Sequence, residues 1–566
     1  MRKLCLLLLL GILPGRTFLS DACTNLIVGK AASADGAVIC TYNCDTFGDT
    51  GWLTYSPAGA HAPGEKIAIR SFWHPDGIRG YVDQVPYTYG VIGYMNEKQL
   101  TILETTFGGR EELVDPQGIL DYDNVMQLAL QRCTTAREAI LEMGRLMDAY
   151  GYCSSGETFS VCDKDEAWMM DVIGKGPGRR GAVWVAVRIP DDCISAHANQ
   201  SRIRKFPQAR KLDKKKGIYE VPGECMYSAD VISFAREMGF YTGPDADFSF
   251  RDAYCPIDFV GMRLCEPRVW SIFRHHTDPA YMDSFMPYLN GQFDVCDELP
   301  LWIKPDKPLT LQDVMADMRD HYEGTPLDMT ADVSAGPWSS PYRPRAKGFT
   351  SDGKKYFRER PISTQQAGFS VVAQMRSWLP DEVGGVYWFN CDEPSAIAYV
   401  PVYCCLRSVP DAFQGRYNRN GVFDERGAFW MCNWVANMVY PRWSALVGDL
   451  VSAREELETV FRTEQPGIEA EAKSLTPEER VAYLEGKTNA FTEQMMTRWK
   501  TLAHHLIVKY NDQPGSWDQP FYDAVVRDTG TRYLVPGQQL CHSERSEGIS
   551  CSDGGFCVIS HNIKEI

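Results

Sequence analysis

The sequence lacks the short motifs of several large enzyme classes. It contains only 10 His in 566 residues, and it has no His-Glu-x-x-His, no Gly-x-Ser-x-Gly and no phosphate-binding loop motif. No Cys-x-x-Cys pair occurs, and no group of Cys and His has the spacing of a zinc site. We therefore expect neither a metal nor an organic cofactor.

Positive charge is also scarce. The 58 basic residues are outnumbered by 74 acidic ones, which gives a formal net charge of −16. The densest basic stretch, 211–216, is interpreted as a solvated loop. A protein that binds nucleic acid or an anionic membrane needs a basic surface, so neither partner is expected.

Long apolar runs are limited to one, at the N-terminus. Leu4–Leu13 follows Arg2 and Lys3, and small residues stand at Ser20 and Ala22, at −3 and −1 of a cut before Cys23. A run of ten residues is too short to span a bilayer, and the pattern is typical of a secretory signal peptide. We predict that signal peptidase removes residues 1–22, that the protein is exported (periplasmic or secreted), and that no membrane contact remains after maturation.

The composition is that of a globular protein, with 44% hydrophobic and 12% aromatic residues. Its 19 cysteines are irregularly spaced, and an odd count does not decide how they pair. Adjacent Cys404 and Cys405 lie in a strand-like run and are predicted to be core residues.

Strand pairs alternate with helix pairs along the chain, which predicts an α+β fold. An Asp-Gly turn at 35–36 joins two β-prone runs directly after Cys23, and 122–150 has the pattern of two helices. The other predicted strands are 91–94, 101–106, 158–163, 167–172, 182–188, 193–198, 368–376, 385–389 and 396–405.

The C-terminal part is helical in pattern over about 429–512. Its last long helix is predicted to begin at Thr476, with Pro477 at the first helical position and Glu479 completing a capping box. Residues 23–536 are predicted to form one domain. Residues 537–566 are rich in Ser, Gly and Cys without periodicity and are predicted to be a disordered tail.

Cys23 has three interpretations from its position alone. It could be lipidated, although the residues before it fit that processing badly, or it could be half of a disulfide or a buried thiol. The third is an N-terminal nucleophile, in which the thiol attacks and its own α-amine takes the proton. An α-amine has a pKa of about 7.7–8.0, so no histidine is needed as the base.

The segment CTNLIVGKAASADGAVI resembles the mature N-terminus of the dipeptidase A family, cysteine dipeptidases of the N-terminal nucleophile (Ntn) hydrolase superfamily. The resemblance extends in order over about 23–512. The further motifs that carry it are Tyr94–Glu97, Glu104–Thr106, Glu166–Trp168, Trp184–Asp192, Ser195–Ile203, Pro267–Trp270, Gln374–Arg376 and Leu379–Val386.

The resemblance implies a four-layer αββα sandwich with additional C-terminal helices, and it implies roles for five residues. Cys23 matches the nucleophile, and Asp45 matches the aspartate that orients its α-amine. Asn199 and Thr106 match the two oxyanion donors, and Arg268 matches an arginine that stabilises charge. The implied activity is hydrolysis of dipeptides or short peptides through a thioester, without a cofactor.

Several local alternatives remain beside these roles. Asp45 could be a turn residue, Asn199 opens a glycosylation sequon, and Arg268 could only pack against Trp270. Glu104 and Asp171 could be structural acids. Gly174–Gly181 is interpreted as a hairpin turn.

The chain also departs from the family pattern. The family pattern at the second strand is usually Arg-Asn-x-Asp, and here it is Tyr42-Asn43-Cys44-Asp45. If the missing arginine lowers the pKa of the thiol in the family, either another cation, Arg202 or Arg268, acts on the thiol here or the enzyme is slower.

Two other functions stay open: an acylase acting on a bile-salt or penicillin V type amide, and a peptide-binding lipoprotein without catalysis. The sequence does not determine the oligomeric state.

Overall fold

The computed structural model describes residues 23–46, 49–71, 74–292, 297–343, 348–357, 359–511 and 519–529. The predicted signal peptide and tail, 1–22 and 537–566, lie outside the described residues.

The described chain is a mixture of β-strands and α-helices. In chain order the strands are β1 (Asn25–Val28), β2 (Val38–Asp45), β3 (Tyr55–Ser56), β4 (Gly59–Ala60), β5 (Lys66–Ser71), β6 (His74–Asp83), β7 (Tyr87–Thr88), β8 (Val91–Ile92), β9 (Met95–Asn96), β10 (Thr101–Gly108), β11 (Gly156–Cys162), β12 (Ala167–Gly174), β13 (Ala182–Ile189), β14 (Ile194–His197), β15 (Leu212–Asp213), β16 (Ile218–Val221), β17 (Cys225–Ser228), β18 (Trp302–Ile303), β19 (Gly348–Ser351), β20 (Lys354–Phe357), β21 (Ala367–Met375), β22 (Val386–Cys391) and β23 (Val400–Tyr403). The α-helices are α1 (Tyr122–Arg132), α2 (Ala136–Tyr150), α3 (Val231–Glu237), α4 (Phe250–Tyr254), α5 (Glu266–His276), α6 (Pro279–Asp283), α7 (Met286–Leu289), α8 (Leu311–Asp317), α9 (Asp381–Gly384), α10 (Ala428–Val439), α11 (Trp443–Ser474), α12 (Pro477–Lys509) and α13 (Gln519–Thr529).

Two large antiparallel sheets organise the described residues. The first sheet has the strand order β18-β14-β1-β2-β21-β22-β23, and the second has β15-β16-β17-β13-β12-β11-β10-β9-β8-β3. The sheets face each other, because β2 contacts β10 and β11, and β1 contacts β10. The α+β fold predicted from the sequence is therefore confirmed.

Burial on both faces of the second sheet explains its apolar strands. Along β13, Val183, Val185 and Val187 belong to the core between the sheets, whereas Trp184 and Ala186 belong to a second core beneath α1 and α2. Successive side chains of a strand point to opposite faces, so a strand covered on both sides is apolar throughout.

Helices pack against both sheets. Helix α2 contacts β11, β12 and β13 of the second sheet, while α10 and α12 contact β22 and β23 of the first. The long helices α11 and α12 also pack on each other. No helix within the described ranges is both long and apolar enough to cross a membrane.

Several local predictions are confirmed. The Asp35-Gly36 turn joins β1 and β2, which pair antiparallel, and Gly36 has a φ of 83°. The turn at Gly174–Gly181 joins the antiparallel strands β12 and β13. Thr476 caps α12 with Glu479 in a capping box. Cys404 and Cys405 are buried.

Candidate active site

Strand pairing fixes the position of Cys23 at the start of β1. The residue after it, Thr24, exchanges two backbone hydrogen bonds with Asn43 of the neighbouring strand, at 3.2 and 2.9 Å. Cys23 is completely buried, and Cys44 contacts its thiol from the opposing strand. The thiol is therefore held by the sheet and does not lie on a loose terminus.

A phenol and a carboxyl group lie beside this thiol. Cys23 Sγ is 3.6 Å from Tyr42 Oη and 4.0 Å from Glu104 Oε1, and Tyr42 donates a hydrogen bond to the same Glu104 oxygen. Burial, then the contact with Cys44 and the charge of Glu104, raise the pKa of the Cys23 thiol well above its ordinary value. Such a thiol is neutral at pH 7 and needs a base before it can attack.

Arg268 of α5 connects the start of β1 to Asn199. Its guanidinium donates to the Cys23 carbonyl (2.7 Å), to Thr24 Oγ1 (2.9 Å), to the Ala198 carbonyl (3.0 Å) and to Asn199 Oδ1 (3.0 Å). The side chain is 1% exposed, so this network is shielded from water. The guanidinium that lies over the Trp270 ring belongs to Arg274, at 5.7 Å, and not to Arg268.

Asn199 and Thr106 also lie together. Asn199 has a φ of 61°, and its Nδ2 donates to the Thr106 carbonyl at 2.7 Å. The Thr106 hydroxyl donates to Glu157 Oε1 at 2.9 Å. Asp171 fixes the segment after Asn199 by accepting hydrogen bonds from the Ser201 hydroxyl (2.7 Å) and from the Ile203 backbone (3.1 Å).

Asp45 lies at the end of β2 and is completely buried. One carboxylate oxygen is paired with Arg360, and the other, Oδ1, has no hydrogen-bond partner among the described residues. Burial raises the pKa of Asp45 to about 6, although the charges of Arg360 and Arg268 act in the opposite direction. Arg360 was not predicted as a site residue, because it lies 315 positions from Asp45 in the chain and no local pattern marks it.

A cavity of about 260 Å³ adjoins these residues, and its lining includes Thr106, Asn199, Arg268 and Arg360. Part of its wall is a π-helical turn, Gly261–Cys265, that leads into α5. Irregular turns of this kind occur frequently at functional sites. Small-molecule sites are concave and carry a few convergent polar groups, so this cavity is the candidate substrate site.

The structure thus brings four of the five predicted residues into one hydrogen-bonded network: Arg268 contacts Cys23 and Asn199, and Asn199 contacts Thr106. Asp45 interacts with Cys23 and Arg268 through its charge. Of the two proposed cations, Arg202 pairs instead with Glu266, at 3.2 Å. Among the residues that the structure describes, no cluster of three or more His, Cys, Asp or Glu could hold a metal ion.

Arg268 and Asn199 line the cavity, and Arg268 binds the backbone of Cys23, whose own side chain is not among the lining residues. A thiol, a buried guanidinium, an amide donor and a carboxylate are groups that amide-cleaving enzymes use. Comparison with known proteins places the chain among the peptidases. The model described as Peptidase family C69 matches residues 22–456, and the chain belongs to this family. The family resemblance seen in the sequence is thereby confirmed.

Relatives with assigned names agree with this family. The chain is 26% identical over 404 residues to a "Probable dipeptidase" of Salmonella dublin, covering 68% of this chain and 82% of the relative. It is 24% identical over 508 residues to a "Probable dipeptidase B" of Lactococcus lactis subsp. lactis, covering 86% and 95%. It is 23% identical over 426 residues to "Dipeptidase A" of Lactobacillus helveticus, covering 71% and 79%.

Proposed function

We propose that this protein is an exported cysteine dipeptidase whose nucleophile is Cys23, which becomes the N-terminal residue when residues 1–22 are removed. One observation carries the proposal: the buried guanidinium of Arg268 binds both the Cys23 carbonyl and the Asn199 side chain. It thereby holds the proposed nucleophile and a proposed oxyanion donor in one rigid unit beside the cavity.

The free α-amine of Cys23 is the proposed base. Continued by one residue, the antiparallel register that pairs Thr24 with Asn43 sets Cys23 opposite Cys44, the residue before Asp45. The charge of Asp45 acts on the Cys23 thiol, which supports Asp45 as the group that orients the amine. Asp45 Oδ1 has no partner among the described residues, so it is available to accept a hydrogen bond from that amine. Arg360 holds the other carboxylate oxygen and fixes the orientation of Asp45.

The reaction then proceeds through a thioester. The thiol proton moves to the α-amine, the S–C bond forms, and the carbonyl oxygen of the substrate becomes an oxyanion. The side-chain amide of Asn199, which donates to the Thr106 carbonyl, is the proposed oxyanion donor. The amine protonates the leaving group, the C–N bond breaks, and water hydrolyses the thioester. Removing one oxyanion donor commonly costs about a hundredfold or more in kcat.

We also propose that the fold is the four-layer αββα sandwich of the Ntn hydrolases. The contacts of α2 with the second sheet and of α10 and α12 with the first support this assignment, as does the contact between the two sheets. Dipeptides are the proposed substrates because the relatives are named as dipeptidases, and because a cavity of about 260 Å³ suits a small substrate.

The decisive experiment combines N-terminal sequencing and intact mass of the exported protein with dipeptide hydrolysis on the same sample. We expect a chain that starts at a free Cys23, and we expect activity to be lost in Cys23→Ala and Cys23→Ser. Cys391→Ala is the matched control, because Cys391 is equally buried in β22 of the same sheet, but its charged neighbour is Asp392, whereas those of Cys23 are Glu104 and Asp45.

Three outcomes would contradict the proposal. A mature chain that starts elsewhere leaves Cys23 without a free amine, and a lipid on Cys23 blocks both the amine and the thiol. Dipeptide hydrolysis by Cys23→Ala at the wild-type rate would exclude Cys23 as the nucleophile. Cleavage of a bile-salt or penicillin V type amide in preference to dipeptides would keep the mechanism and replace the substrate.

A further inference from the structure

The side chains in hydrogen-bonding contact with the Cys23 thiol are acidic or neutral, and Arg360 acts on the thiol only through its charge. The side-chain partners of the thiol are the Tyr42 hydroxyl at 3.6 Å, Glu104 Oε1 at 4.0 Å and Cys44. Arg268 reaches the Cys23 carbonyl, and no hydrogen bond joins it to Sγ among the described residues. Among the residues that the structure describes, no Lys, Arg or His forms an ion pair with Glu104. Among the described residues, the usual means of stabilising a thiolate, a cation in direct contact with the sulfur, is therefore replaced by contacts with a phenol and a carboxyl group.

Tyr42 and Glu104 are rigidly held as a pair. Tyr42 is 3% exposed and Glu104 is 2% exposed, and the Tyr42 hydroxyl donates to Glu104 Oε1. The Tyr42 ring packs edge-on against the rings of Phe369 at 5.4 Å and Tyr94 at 6.3 Å. The hydroxyl is thus fixed between the thiol and the carboxyl group.

A second carboxyl group lies beside this pair. Glu157 interacts with the Glu104 side chain and accepts a hydrogen bond from the Thr106 hydroxyl at 2.9 Å. Burial raises the pKa of Glu104 above its ordinary value. The acidic groups beside the nucleophile therefore lie in a buried region where negative charge is costly.

We propose that Tyr42 and Glu104 are catalytic residues that hold Cys23 as a neutral, oriented thiol in the resting enzyme, so that the thiol loses its proton only during attack. The inference rests on the proposed function. At attack the S–H proton moves to the α-amine of Cys23 as the S–C bond forms. The thiol gives up its hydrogen bond to Tyr42, and the bond between Tyr42 and Glu104 persists.

This arrangement predicts how the thiol responds to pH. A resting thiol that is neutral reacts slowly with alkylating reagents near pH 7 and faster as the pH rises. Glu104→Gln removes the acid charge near the sulfur but retains an acceptor for Tyr42. Tyr42→Arg places a cation beside both the thiol and Glu104. Both changes favour the thiolate.

The test is the rate at which iodoacetamide modifies Cys23 of the mature protein between pH 5 and 10, followed by peptide mass spectrometry. We expect the rate profiles of Glu104→Gln and Tyr42→Arg to move to lower pH by about one unit or more, which is roughly a tenfold faster modification at pH 7. The acid limb of dipeptide hydrolysis is expected to move in the same direction. Tyr94→Phe is the control, because it removes a neighbouring buried hydroxyl that bonds Asp123 at 3.0 Å and not the thiol.

Unchanged alkylation profiles in Glu104→Gln and Tyr42→Arg, with wild-type melting curves, would overturn the inference. So would a wild-type protein whose Cys23 is already modified at its maximal rate at pH 6. If Tyr42→Arg fails to fold, the near-isosteric Glu104→Gln still decides the question. Alkylation is measured on Cys23 itself, so this result is independent of turnover: an active Cys23→Ala would refute the proposed function but would leave the thiol profile interpretable.

Discussion

Replacing Arg360 by Gln tests whether the buried pair with Asp45 governs the local electrostatics. Asp45 is completely buried, and its pKa rises from 3.8 to about 6 even with Arg360 beside it. One pKa unit corresponds to about 1.4 kcal/mol, so ionising this carboxyl group already costs the folded state on the order of 3 kcal/mol at pH 8. Because the pKa of Asp45 is higher in the folded state, the protonated carboxyl group stabilises the folded state. This stabilisation is complete below pH 4 and is lost as the pH rises through 6.

Arg360→Gln removes the charge that favours ionised Asp45, so the folded pKa of Asp45 must rise further. At pH 8 the variant has to bury an uncompensated carboxylate or protonate it. Breaking a buried ion pair from one side costs about 3–5 kcal/mol. At pH 5 Asp45 is already largely protonated in the wild type, and we expect a loss below about 2 kcal/mol, the scale of lost hydrogen bonds.

The assay is urea unfolding of the wild type, Arg360→Gln and the double variant Asp45→Asn/Arg360→Gln at pH 5 and pH 8. The single variant should lose markedly more stability at pH 8 than at pH 5. The double variant has no titrating carboxyl group at this position, so its stability lacks the decline between pH 5 and pH 8 that Asp45 gives the wild type, and its loss relative to the wild type should be smaller at pH 8 than at pH 5. Equal losses for Arg360→Gln at the two pH values, or a larger loss at pH 8 than at pH 5 in the double variant, would refute the reasoning.

Three further predictions concern the scaffold. Burial and the charge of Asp121 raise the pKa of Asp123 to about 7, so Asp123→Asn should raise the urea midpoint relative to wild type at pH 8 but not at pH 4. Gly29→Ala would place a Cβ atom 2.5 Å from a backbone oxygen of the segment after β13 and should lower the free energy of unfolding by about 1–3 kcal/mol. Gly448→Ala, its control, adds a Cβ atom in open space on α11 and should leave stability unchanged or raise it. Thr476→Ala removes the capping box of α12 and should cost about 1 kcal/mol in thermal or urea unfolding, and a change near zero would contradict it.

Local features of the structure could be predicted from the sequence. The two helices within 122–150 were predicted as a pair, and they are α1 and α2, with Thr135 capping the second. The Asp35-Gly36 turn and the start of α12 were predicted for the same reason: caps, turns and periodic burial depend on residues within a few positions of each other. The predicted strand 91–94 is less regular than expected, because Gly93 and Tyr94 form the turn between β8 and β9.

For the candidate site, the sequence pointed to the residues, but it did not predict the contacts between them. Cys23 could be singled out from the sequence because the signal peptide pattern and the family motif are contiguous with it. The resemblance also pointed to Asp45, Asn199, Thr106 and Arg268, but the contacts among them could not be predicted. Arg268 was considered as a residue that packs on Trp270, and only the structure shows it bound to Cys23 and Asn199.

What the sequence determined by itself was the α+β class, the family, the helical C-terminal part and which cysteine to propose as the nucleophile. The tertiary structure decided which charges surround that cysteine. It brings Glu104 of the second sheet to Tyr42 of the first, and Arg360 to Asp45 across 315 positions of the chain. Such contacts form where two independently paired sheets and their connecting segments meet. No periodicity or local spacing encodes them, because they depend on how the completed layers pack.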